Sequence, residues 1–187
     1  GTDIYTCDAW VTGVHSASGA ATAQRVSDAP PGFSSSIKVT MTTGASSIAA
    51  IDYLGAHQAI EANELIGIGL GSAGARTLHL RFWAKCSIAP YTMTYVLLND
   101  AVNRSWIGEA TISVANQWQE FVVSFPADVA GSWVSAGAGI GAYLRFGFAA
   151  GSNYVQATGA WGTANAVGTP GSSNGVMTTS GATIQVS

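Results

Sequence analysis

Residues 77–85 read TLHLRFWAK, in which Leu78, Leu80, Phe82 and Ala84 alternate strictly with His79, Arg81, Trp83 and Lys85. A period of two belongs to a β-strand, whose successive side chains point to opposite faces. One core face and one polar face carrying a single large ring are therefore expected. The pattern recurs along the chain. Ile37, Val39 and Met41 alternate with Lys38, Thr40 and Thr42, and Tyr91, Met93, Tyr95 and Leu97 with Thr92, Thr94, Val96 and Leu98. Phe121, Val123 and Phe125 oppose Trp118, Glu120, Val122 and Ser124, and Leu144, Phe146 and Phe148 oppose Tyr143 and Arg145. Further extended segments are expected at 1–14, 47–54, 106–114, 154–161 and 182–186, for about eight to ten strands. Residues 77–100 read as two strands joined in an antiparallel hairpin. Residues 15–29 read as a polar connection, Ala29-Pro30-Pro31-Gly32 as a firm turn, and 58–65 as room for one short helix. Short strands at this spacing, without a long amphipathic helix, predict an all-β, two-sheet antiparallel sandwich of jelly-roll type, folded as one domain over 1–187. The chain fits either a whole protein or a piece of a longer one.

Composition narrows the function. Seven Lys and Arg residues against ten Asp and Glu give a net charge of −3, without the basic patch that a nucleic-acid binder needs. No partner nucleic acid is expected. Hydrophobic residues make up 48% of the chain, but no run approaches the roughly 18 to 20 apolar residues of a spanning helix, and the most apolar stretch, 136–150, is broken by glycines and Arg145. No membrane insertion is expected. Cys7 and Cys86 match no zinc or redox spacing; they fit two buried thiols, or a disulfide if their strands are neighbours.

Bond-breaking chemistry finds little to stand on. Glycoside hydrolysis needs two carboxylates held across a sugar, and the acidic residues are scattered, Glu61 and Glu64 being the nearest to a pair. His15, His57 and His79 lack zinc spacing, and no nucleophile elbow accompanies them. A non-catalytic protein is expected, with no cofactor. Sugar binding asks for less: a ring to stack on a pyranose and a few polar groups around it. His79, Arg81 and Trp83 share one strand face, and Tyr143 with Arg145 are expected to lie across the same sheet. The same residue types also make interface hot spots, so these five are candidates for a glycan site or for a subunit contact.

Several segments in this order resemble a known group of modules: Tyr5-Thr6-Cys7-Asp8-Ala9-Trp10, Gln24-Arg25-Val26, Ala29-Pro30-Pro31-Gly32, Ser36-Ile37-Lys38-Val39-Thr40, Gln58-Ala59-Ile60-Glu61, Leu80-Arg81-Phe82-Trp83-Ala84-Lys85, Gln117-Trp118-Gln119-Glu120 and Leu144-Arg145-Phe146-Gly147-Phe148. The chain resembles the jelly-roll, carbohydrate-binding-module-like domains of bacteriophage and phage-like fibre, spike and tail proteins. The resemblance runs over roughly 4–186 and rests on core and turn signals. It implies a module on the exposed surface of a virion, a homotrimer among other virion proteins, that binds bacterial surface polysaccharide for host attachment. It also makes Asp8 the candidate for a calcium site. The C-terminal Gln-Leu-Glu pattern of such modules is reduced here to Gln185. A purely structural fibre component and a carbohydrate-binding module of a secreted hydrolase are the alternatives.

Overall fold

The computed structural model describes residues 2–7 and 10–187, with side chains described at 3, 4 and 10–187. Eleven strands are found among the described residues: β1 (Thr2–Cys7), β2 (Trp10–His15), β3 (Ala20–Val26), β4 (Ser36–Thr43), β5 (Tyr53–Glu61), β6 (Leu78–Cys86), β7 (Tyr91–Asn99), β8 (Ser105–Ile112), β9 (Gln119–Phe125), β10 (Ile140–Ala150) and β11 (Thr183–Val186). Two four-residue helices, α1 (Ala62–Leu65) and α2 (Gly175–Thr178), are the only α-helical turns among them. No helix among the described residues is long and apolar enough to cross a membrane.

The strands form a six-stranded sheet, β1-β2-β5-β10-β7-β8, and a five-stranded sheet, β3-β4-β11-β6-β9, all paired antiparallel. Apart from the β1–β2, β3–β4 and β7–β8 hairpins, each connection carries the chain to the other sheet. This alternation is that of a jelly roll and agrees with the expected fold class. The inner faces meet as the alternation predicts. Phe82, Ala84, Cys86, Ile37, Val39, Met41, Ile184 and Val186 from one sheet are buried against Leu54, Ala56, Met93, Ile112, Phe146 and Phe148 from the other.

Four expectations need correction. Residues 77–100 do not form a hairpin: β6 and β7 lie in different sheets, because the turn between them crosses the sandwich. Ala20–Val26 is a strand, β3, although its small and polar residues hide it; it is an edge strand that packs only Ala21 and Ala23 on the core. The segment over 47–54 becomes strand only from Tyr53. Residues 154–161 are not a strand, holding only an isolated bridge at Val155; they belong to a covering segment, 151–174, that lies over β7, β8 and β10. Thr94 Oγ1 donates to Val167 O (2.6 Å), Ser105 Oγ to Ala164 O (2.8 Å), and the Ala150 N–H to Asn174 Oδ1 (2.9 Å). This cover explains why Val96 and Leu98, on the outer side of β7, are as buried as Leu97 on the inner side. Burial on both faces turns a period-two pattern into the continuous run Val96-Leu97-Leu98.

Trp106, Trp133 and Trp161 seal one end. Trp161 lies 5.8 Å from Trp106 and 5.6 Å from Trp133, centroid to centroid, and the Arg104 guanidinium lies 5.6 Å from its ring. Arg104 forks onto buried Asp128 (2.8 and 2.6 Å), which also accepts from the Trp133 indole (2.9 Å). Cys86 is a buried free thiol. The Cys7 thiol and Asp8 lie outside the described residues, and with them the expectations of a disulfide and of calcium at Asp8.

Candidate functional site

On β6, Leu80, Phe82, Ala84 and Cys86 turn inward, which puts His79, Arg81, Trp83 and Lys85 on the outer face of the five-stranded sheet. The register with β9 sets Trp83 opposite Glu120, Arg81 opposite Val122 and His79 opposite Ser124. Arg81 is ion-paired with Glu120 across this register, its own side chain 69% exposed. Trp118, just before β9, falls on the same face two residues from Glu120, diagonally across from Trp83. The Lys85 ammonium lies 4.9 Å from the Trp118 ring centre and is ion-paired with Asp28.

Asp28 arrives from the loop before β4. Its carboxylate also accepts from Trp118 Nε1 (3.3 Å) and from Gln185 Nε2 (3.2 Å) on β11. Ser36 Oγ donates to Gln185 Oε1 (3.0 Å) and to Asp28 O (2.6 Å), which fixes the loop on the sheet. The hydrogen bond from Lys85, aided by Gln185 and Trp118 and opposed by burial, holds the Asp28 carboxyl below its usual range. These groups are mutually satisfied. Trp83 differs: its backbone pairs with Ser187 (2.9 and 3.0 Å), while its half-buried indole makes no ring contact and donates to no protein group among the described residues. It is a ring held from below, flanked by charged hydrogen-bonding groups.

Tyr143 and Arg145 do not join this group. They stand on β10, in the six-stranded sheet, and their outward faces look away from β6 with both layers of the core in between. The expectation that they lie across the same sheet as Trp83 is thus corrected: alternation shows which side of its own strand a residue takes, and not which sheet the strand joins. Tyr143 packs edge-on against His57 (5.7 Å, 82°). Arg145 Nη1 donates to Asn165 Oδ1 and Ala166 O, both at 2.8 Å, in the covering segment.

A cleft of about 260 Å³ opens between the sheets beside Arg81. Phe82, Phe146, Leu80 and Leu144 line it, Trp10 stacks on Phe146 at 5.7 Å, and Ser35, Ser36 and Ser187 supply its polar rim. No group of three or more His, Cys, Asp or Glu side chains that could hold a metal occurs among the described residues. Of the residues around Trp83 that sequence reasoning did not single out, Trp118 had a signal, its alternation with Glu120. Asp28 had none, because only the folded loop brings it to the sheet.

No family model matches the sequence, and no curated protein matches it. Among solved structures, the chain is similar to the enzymatically active domain of tailspike protein 4 of bacteriophage CBA120, with a TM-score of 0.47 and 13% identity over 95% of this chain and 18% of that one. It is similar to the family 11 carbohydrate-binding module of a cellulosomal cellulase of Clostridium thermocellum, with a TM-score of 0.47 and 11% identity over 98% and 87% of the two chains. It is also similar to the N-terminal tandem CBM22 domain of a Paenibacillus barcinonensis protein, with a TM-score of 0.47 and 14% identity over 95% and 44%. The chain thus spans well under two thirds of the tailspike and tandem structures. Likeness at this level leaves the role of the chain to be argued from its own residues.

Proposed function

We propose that this chain is a non-catalytic module that binds bacterial surface polysaccharide through the outer face of its five-stranded sheet, with Trp83 as the stacking ring. The observation that carries the reading is the state of Trp83: a half-buried indole in the middle of a solvated sheet face, without a protein partner for its N–H, between the Arg81–Glu120 and Lys85–Asp28 pairs. A pyranose laid on that ring would meet donors and acceptors on both sides. His79 lies further along the same strand. The carboxylates near this face are already engaged by cations, which suits binding and not acid catalysis. The setting, a trimeric module on a phage or phage-like particle used for host attachment, follows from the resemblance of the segments quoted above.

A second reading has one observation on its side. Val122, opposite Arg81 on the same face, is 71% exposed, as an apolar residue waiting for a subunit would be. In that case the face is an oligomer contact in a structural fibre component. A module from a secreted hydrolase is the third, and predicts a monomer. Trp83→Ala separates sugar from subunit. The expected result is unchanged thermal unfolding and solution mass with binding to a capsular or lipopolysaccharide glycan weakened by about 1 kcal/mol, about fivefold in Kd. Loss of the oligomer in that variant, with no glycan bound by the wild type, overturns the reading in favour of the interface.

A further inference from the structure

We propose that the opposite outer face, on β2, β5 and β10, holds a second and separate site, one for an acidic sugar, with Arg145 taking the carboxylate of a uronic acid residue. The register lays a row of side chains across the strands, Val11, His57, Arg145 and Val96. Beside it runs a row of glycines, Gly13, Gly55 and Gly147, in register on the same three strands. Tyr53 uses the first gap: a Cβ on Gly13 would stand 2.7 Å from Tyr53 Cε2 and 3.2 Å from its hydroxyl oxygen. Around the place of a Gly55 Cβ the three nearest atoms are all backbone of β10. The third gap, at Gly147, lies under the backbone of Val167. Rings border the rows: His15 parallel to Tyr53 at 5.7 Å, Tyr154 edge-on to Tyr53 at 5.0 Å, and Tyr143 edge-on to His57.

Within this ring of aromatics stands a cation with no ion-pair partner among the described residues. The three ion pairs among the described residues involve Arg81, Lys85 and Arg104, and none involves Arg145. Only Nη1 of Arg145 is engaged, by one amide oxygen and one backbone carbonyl. Nε and Nη2 meet no acceptor among the described residues. Burial lowers the Arg145 pKa, and the hydroxyls of Tyr53, Tyr154 and Tyr143 are close enough to act on it electrostatically. The half-buried guanidinium has no counter-ion among the described residues, and its remaining N–H groups form a fork that matches a carboxylate. The other charged or titratable groups facing it are His57, whose pKa burial and Arg145 lower, and exposed Asp3, whose field reaches His57 and Tyr53. Among the described residues the carboxylates set against an anion on this face are Asp3 and Glu109, both exposed, Glu109 lying two strands from Gly147 through Thr94 and accepting from Thr169 Oγ1. Rings for the sugar and a fork for its carboxylate together favour a uronic acid over a bare anion.

The test uses the whole chain with oligomers of galacturonate, glucuronate and mannuronate, their methyl esters, and inorganic phosphate, titrated by calorimetry and followed by the imidazole NMR signals of His57. At least one acid is expected to bind ten times more tightly than its ester and to shift the His57 signals, with phosphate weaker than that acid by a similar factor. Arg145→Gln is expected to bring the acid-to-ester ratio below two. Because Arg145 also holds the covering segment, Tyr143→Ala serves as a second variant, expected to weaken acid and ester alike at least threefold with Arg145 in place. Trp83→Ala is expected to leave the ratio unchanged, so failure of the Trp83 face and failure of this one are told apart. Equal binding of acid and ester, no binding by any of the three acids, or phosphate binding as tightly as the best acid overturns the proposal.

Discussion

Replacing Asp128 by Asn tests the energetics of the sealed end. The Asp128 side chain is 1% exposed and accepts from Arg104 Nε and Nη2, from the Trp133 indole and from the Ala130 N–H (3.2 Å). Asparagine keeps one acceptor, turns an N–H₂ toward the donors, and leaves the Arg104 cation without its partner. Breaking a buried pair from one side costs about 3–5 kcal/mol. Since 22% of the Arg104 side chain still reaches water, the low end, about 3 kcal/mol, is the expected loss. In a domain of this size each kcal/mol moves Tm by about 2–4 °C, so a fall of about 6–12 °C is expected.

Urea unfolding followed by tryptophan fluorescence, in a cycle with Arg104→Met and the double variant, measures the coupling. The double variant should be less destabilised than the sum of the singles by at least about 1 kcal/mol, since it leaves no orphaned charge. Strict additivity, or a loss below about 1 kcal/mol for Asp128→Asn, refutes the argument. The pH dependence has a definite sign. Burial pushes the Asp128 carboxyl up, but the bonds from Arg104, Trp133 and the Ala130 N–H outweigh it and leave the pKa below the usual value. A carboxylate depressed in the folded state contributes fully above its unfolded pKa of about 3.9, and its contribution disappears as pH falls through the folded value. The difference between wild type and variant should therefore stay constant from pH 7 to 5 and shrink only in the acid range below.

Two further outcomes are expected. Burial pushes the Cys86 thiol up to about 11, so iodoacetamide at pH 8 should label it only at the rate of unfolding; prompt labelling of the folded chain at Cys86 would contradict its burial. Gly147→Ala would drive a methyl group into the Val167 carbonyl oxygen and Thr94 Oγ1. The variant should lose the seat of the covering segment, seen as faster proteolysis within 151–174 and a lower Tm; wild-type protection there would show that the segment can shift without cost.

Much of the fold was legible because packing obeys the same period as the sequence. On β6 and β9 the alternation gave the inner and outer faces residue by residue. It was less informative where a strand is not half-buried: β3 contributes two alanines to the core, and β7, covered on both sides, keeps its alternation from Tyr91 to Tyr95 and loses it at Val96-Leu97-Leu98. Sheet membership was not legible at all. Trp83 and Tyr143 carry equivalent signals on their own strands yet stand on opposite sides of the molecule, because the partner of a strand is chosen by register with residues far away, as between Gly55 on β5 and Gly147 on β10. The Trp83 neighbourhood was half visible for the same reason: Trp118 shares a local pattern with Glu120, whereas Asp28 is recruited by a loop through Ser36 and Gln185.

The strand that completes the five-stranded sheet is also the last in chain order of the eleven described. β11 lies between β4 and β6 and is the sole link between the β3–β4 pair and the β6–β9 pair. Until residues 183–186 have left the ribosome, the two pairs share no backbone hydrogen bond. The outer face that bears Trp83 is thus assembled across a gap of more than a hundred residues in the order of synthesis, and the row joining Lys38, Gln185 and Lys85 is closed from its middle. Closing the sheet depends on pairings between residues far apart in the chain, which form slowly because loop-closure entropy is paid first.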